Sequence, residues 1–60
     1  MERVTLLFKD ERDLRRFHAI LDSNYIELNA RELTLTCECS KEDIELAVKA
    51  FDAKLIDKSN

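Results

Sequence analysis

The chain has neither a glycine nor a proline among its 60 residues. The P-loop and the dinucleotide-binding fingerprint both need glycine, because the backbone must approach a phosphate group closely there. Nucleotide enzymes of these two classes are therefore excluded. Without proline, no strand in the chain has the residue that most directly protects an exposed edge from pairing.

Residues that carry chemistry are also scarce, since the sequence holds one histidine and two cysteines. A closed zinc site needs about four ligands, and His18, Cys37 and Cys39 supply three at most. No serine, carboxylate or second histidine is placed by spacing to form a triad with His18. We therefore expect no enzyme and no cofactor. One alternative is a ligand- or metal-binding protein that uses Cys37, Cys39 and His18. The other is a small dimeric enzyme with a site between subunits.

Long apolar runs are missing as well, so no segment is predicted to cross a membrane. The composition, 45% hydrophobic and 38% charged, is that of a folded domain, and we expect one domain over residues 1–60. No export signal follows Met1, which predicts a cytoplasmic location by default. The net charge of −3 provides no field to hold a phosphate backbone, so nucleic acid is not expected as a partner.

What the chain does have is an apolar period that switches between two and about three and a half. Period two predicts strands over residues 3–8, 25–28 and 33–39. Helical spacing predicts two helices. The first buries Leu14, Phe17, Ile20 and Leu21, and the second buries Ile44, Ala47, Val48, Phe51 and Leu55. The residues from Asp57 onward are expected to fray.

The last two strands are predicted to form a hairpin. Their apolar positions share one face only if paired residue numbers sum to an odd number, which permits a loop of two or four residues. We favour four, Asn29 to Glu32, with Leu28 paired to Leu33.

These elements predict an α+β fold with the order β-α-β-β-α. Three antiparallel strands in spatial order 1-3-2 would carry both helices on one face, as in a ferredoxin-like fold that lacks its last strand. The likeness is one of topology and implies no function.

Cys37 and Cys39 are expected to point into the core as free thiols. Two residues apart on one strand they lie roughly 6.5 Å apart, a poor geometry for a disulfide. Buried cysteines of this kind usually act as small apolar residues.

Two surfaces remain for partners. In a three-stranded sheet the first strand is an uncovered edge, and its residues Val4, Thr5, Leu6, Leu7 and Phe8 would pair with another copy or another protein. Arg12, Arg15 and Arg16 on the first helix form a possible patch for an anion or an acidic partner. The function expected from the sequence is a non-enzymatic protein-interaction module, homodimeric or an accessory subunit.

Overall fold

The structure is a computed structural model that describes the backbone of residues 2–59 and the side chains of residues 3–58. Along the chain, its elements are β1 (Glu2–Leu7), α1 (Glu11–Ile20), β2 (Ile26–Asn29), β3 (Thr34–Cys39), α2 (Lys41–Ala50) and β4 (Lys54–Ser59). The α+β class predicted from the apolar period is confirmed.

The sheet has four strands in the order β2-β3-β1-β4, and every neighbouring pair is antiparallel. The prediction of a three-stranded sheet in order 1-3-2, a fold lacking its last strand, is wrong. Residues 54–59, which we expected to continue the second helix and then fray, form β4 and pair with β1. The edges of the sheet are therefore β2 and β4.

The second helix stops before β4 because the backbone turns at Asp52. This residue has φ 56°, in the left-handed region that ends a helix. The N–H groups of Phe51 and Ala53 both donate to the carbonyl of Ala47, at 3.1 and 3.0 Å. Leu55 is thus a strand residue. It follows Phe51 by four residues, as core residues of a helix do, but the helix has already ended before Leu55.

Both helices begin at side-chain caps. Asp10 accepts a hydrogen bond from the N–H of Asp13 at 2.9 Å. Ser40 and Asp43 form a reciprocal capping box, as the spacing indicates. These caps satisfy backbone donors that have no partner within the helix.

The core lies between the two helices and one face of the sheet. Three phenylalanine rings meet there. Phe8 lies 5.5 Å from Phe17, and Phe51 lies 5.6 Å from Phe17 between ring centroids. Three predicted core residues are instead on the surface, since Ile20 is 58% exposed and Val48 and Leu55 are each 42% exposed. The buried residues are Val4, Leu6, Phe8, Leu14, Phe17, Leu35, Cys37, Cys39, Ala47 and Ala53.

The β2–β3 hairpin has a four-residue loop, one position later than predicted. Leu28 pairs with Leu35 and Asn29 with Thr34, so residues 30–33 form the loop. Leu33 lies in this loop at φ 60° instead of in the strand. Its carbonyl accepts a hydrogen bond from the N–H of Phe8 at 2.8 Å, which ties the loop to the end of β1.

No helix within residues 2–59 has the length and apolar character that a membrane crossing requires.

Candidate functional site

The interface expected along β1 is not available. β1 lies between β3 and β4, so its backbone is paired on both sides. Val4, Leu6 and Phe8 are fully buried, while Thr5 and Leu7 are half-buried on the opposite face. The expectation that residues 4–8 form an uncovered edge is wrong, because β4 covers it.

Cys37 and Cys39 point into the core as predicted, but they are joined by a disulfide bond. Their Cα atoms lie 5.6 Å apart, shorter than the expected spacing and inside the usual range for a disulfide. The expectation of free thiols is therefore wrong. In the disulfide neither sulfur is a thiolate, the form that binds zinc or copper.

Reduction of this disulfide should leave the fold intact. The bond closes a loop of only three residues, and the chain-entropy model gives about 1.6 kcal/mol for a loop that short. We expect dithiothreitol to lower the free energy of unfolding by about this amount in urea titrations. A chain that unfolds completely on reduction would contradict the expectation, and thiol titration in urea before and after reduction is the control.

His18 is far from forming a metal site with the cysteines. It is an exposed residue of α1, whereas both cysteines are buried on β3. Among residues 2–59, no group of three or more histidine, cysteine, aspartate or glutamate side chains is placed to hold a metal ion. The structure thus does not bring together the three residues of the metal-binding alternative.

The arginine patch of α1 is exposed, and part of its charge is used within the helix. Arg15 forms an ion pair with Glu11 at 2.6 Å, one helical turn away. Arg12 and Arg16 are also exposed. Exposed ion pairs of this kind contribute little to stability. Because all three arginines are exposed, the patch is a mixed-charge surface and does not enclose an anion.

The helix-free face of the sheet is polar, and several of its groups bind one another. The guanidinium of Arg3 lies 4.1 Å from the centroid of the Tyr25 ring and forms an ion pair with Glu38 at 3.6 Å. The hydroxyls of Thr5 and Thr36 are 2.8 Å apart and hydrogen bonded. Arg3 therefore covers the aromatic ring that a base would need for stacking.

The edge strand β4 is the feature that the sequence reasoning missed. It carries Leu55, 42% exposed, and Ile56, 52% exposed, at the border of the sheet. Leu55 is opposite Leu6 in the register, so its side chain lies on the helix-bearing face. The register shifts between Thr5 and Leu6, which leaves Ile56 as the extra residue of a β-bulge.

α2 carries exposed apolar residues of its own. The helix packs against β3 and β4, and the Phe51 ring at its end contacts Phe17 of α1. Leu46, 41% exposed, and Ala50 lie one helical turn apart on the exposed side of α2. We call the exposed pair Leu55 and Ile56 of β4 the β4-side surface.

A shallow depression of about 320 Å³ lies on the exposed side of α2. All its lining residues belong to α2: Glu42, Glu45, Leu46, Lys49 and Ala50. It is an open groove along one helix, whereas binding sites for small molecules are enclosed clefts. The groove therefore suits a protein contact better than a small ligand.

No protein-family model matches this chain, and neither a curated protein nor a solved structure matches it. Function must therefore be argued from the surface itself.

Proposed function

We propose that this chain is a non-enzymatic protein-association module that works as a homodimer through β4 and the β4-side surface. The observation that carries the proposal is the six-residue edge strand β4 with its two exposed apolar residues, Leu55 and Ile56. An edge strand presents unpaired N–H and C=O groups, and β-strand addition is a common way for proteins to use them.

The size of the domain supports association. A domain of about 60 residues buries only about 60% of the surface of its unfolded chain, so its stability is marginal. Burying the β4-side surface in a dimer would add apolar contact that the single chain lacks. The other edge, β2, has only four residues and offers less backbone for pairing.

The expected cytoplasmic location is retained as part of the proposal. Disulfides are rare in the cytoplasm, where thiols are kept reduced. The Cys37–Cys39 bond closes a three-residue loop and contributes about 1.6 kcal/mol by the loop-entropy argument, less than the roughly 3–9 kcal/mol total stability of a domain this size. The module is therefore expected to work equally well with two buried thiols.

The test is a charged substitution within the β4-side surface. Ile56→Glu places a carboxylate in the apolar contact and should raise the dimer dissociation constant at least about tenfold, because a buried unpaired charge is costly. Sedimentation equilibrium against the chain mass of 7.0 kDa measures the change.

The matched control is Ile20→Glu. Ile20 is exposed to a similar degree but lies on α1, which packs against β3. This variant should dimerise like the wild type. Equal dissociation constants for the two glutamate variants would argue against the β4-side surface as the interface.

A further inference from the structure

The bulge in β4 places two opposite charges on one face of the sheet. Lys54 is opposite Leu7, and Asp57 is opposite Thr5. Residues three apart on a regular strand point to opposite faces. Here the bulge adds one extra residue, Ile56, between them. Lys54 and Asp57 therefore both lie on the helix-free face, like their partners Leu7 and Thr5.

This arrangement makes the edge complementary to itself. Two antiparallel strands related by a two-fold axis place directly opposite residues on the same face. An axis between Leu55 and Ile56 sets Lys54 across from Asp57 of the second copy, and Asp57 across from Lys54 of the second copy. Leu55 then lies across from Ile56. Without the bulge, no such axis would bring these two charges together.

We propose that a second copy of this chain pairs antiparallel along β4, with two Lys54–Asp57 ion pairs on either side of a Leu55–Ile56 contact. The pairing joins two four-stranded sheets into one sheet of eight strands. This inference rests on the proposed homodimer and adds its register and its symmetry.

The charges at these positions are available for a partner. Lys54 and Asp57 are both exposed, and neither takes part in the ion pairs described for residues 3–58. Cross-strand pairs of opposite charge stabilise a sheet, and like charges directly opposite destabilise it. Lys54 and Asp57 therefore favour this register over a shift by one or two residues.

The area of contact indicates a weak dimer. A standard interface buries about 800 Å² on each partner, which is roughly a fifth of the 4281 Å² surface of this chain. A pair of six-residue strands alone does not reach that area. Leu55, 42% exposed on the helix-bearing face, adds apolar contact to the paired backbones.

The experiment uses two charge reversals, Lys54→Glu and Asp57→Lys. Each variant alone places two like-charge pairs across the symmetry axis, so its dissociation constant should rise at least about tenfold. Mixed in equal amounts, the two variants should form a heterodimer with both pairs attractive, at an affinity within about threefold of the wild type. Native mass spectrometry separates the heterodimer from the homodimers by mass.

The control variants reverse one positive and one negative charge in the β2–β3 hairpin loop, away from β4. Arg31→Glu and Glu32→Lys change exposed residues at the tip of the β2–β3 hairpin and should dimerise like the wild type. The double variant Lys54→Glu/Asp57→Lys should regain the homodimer, which keeps the test valid if one single variant is unstable. Circular dichroism checks the fold of each variant.

The outcomes separate the register from the function. If the wild type dimerises, single reversals that dimerise equally well, or a mixture that fails to restore binding, would overturn the register and leave the homodimer standing. If the wild type is a monomer at about 1 mM, a concentration at which even a dimer with a dissociation constant of about 100 μM would predominate, the homodimer and the register both fail.

Discussion

Replacing Phe17 with alanine is expected to lower the free energy of unfolding by about 3–5 kcal/mol. The ring is 1% exposed and contacts both Phe8 and Phe51, so its removal opens a cavity between the helices and the sheet. Domains of this length have a total stability of roughly 3–9 kcal/mol. The variant should therefore be largely unfolded at 37 °C, as measured by circular dichroism in urea titrations.

Ile20→Ala is the matched control for this experiment. Ile20 lies three residues from Phe17 on the same helix but is 58% exposed. Its truncation should change the free energy of unfolding by no more than about 0.5 kcal/mol. A Phe17→Ala variant with a nearly unchanged melting temperature would show that α1 packs differently on the sheet.

Proline at Leu6 is expected to unfold the protein, at a cost of about 4 kcal/mol or more. The substitution removes a fully buried side chain, and truncations of buried leucine alone cost about 2–5 kcal/mol. It also places proline, which cannot donate to a backbone ladder, in a strand paired on both sides. A thermal melt followed by circular dichroism measures the loss.

Ile56→Pro is the comparison that separates a central strand from an edge. Ile56 is the extra residue of the β4 bulge, and proline is tolerated at edges and bulges. This variant should remain folded while losing dimerisation. A folded Leu6→Pro variant would mean that β1 is an edge strand after all.

The parts of the fold that sequence could predict depend on local signals. Alternating apolar residues marked β1 and β3, and the Ser40–Asp43 capping box marked the start of α2. The even number of residues in the hairpin loop also followed from the requirement that Leu28 share a face with the apolar residues of β3. Its position was missed by one residue because Leu33 adopts φ 60°, a conformation unfavourable for leucine.

The fourth strand could not be predicted in the same way. Phe51 and Leu55 are four residues apart, so helical spacing appeared to continue past the true end of α2 at Ala50. Asp52 was the available signal, since aspartate tolerates the left-handed conformation that ends a helix. Pairing with β1, about 50 residues away along the chain, then decided the structure of residues 54–59.

The candidate site was missed for the same reason. Without β4 the first strand is an edge, so the sequence places the interface at residues 4–8, whereas β1 lies in the centre of the sheet. The apolar spacing predicts Leu55 and Ile56 at the end of α2, whereas both are exposed residues of β4. Only the paired register shows that Lys54 and Asp57 share a face, because no glycine marks the bulge at Ile56.

The position of β4 also affects the tendency of the chain to aggregate. It shields β1, whose residues 4–7 would otherwise present a bare apolar edge without proline or inward charge. Local opening that releases β4 would expose the edge of β1, which could then pair with other chains and start aggregation. A second copy bound along β4 would hold this strand in place. The proposed dimerisation would therefore also reduce aggregation through β1.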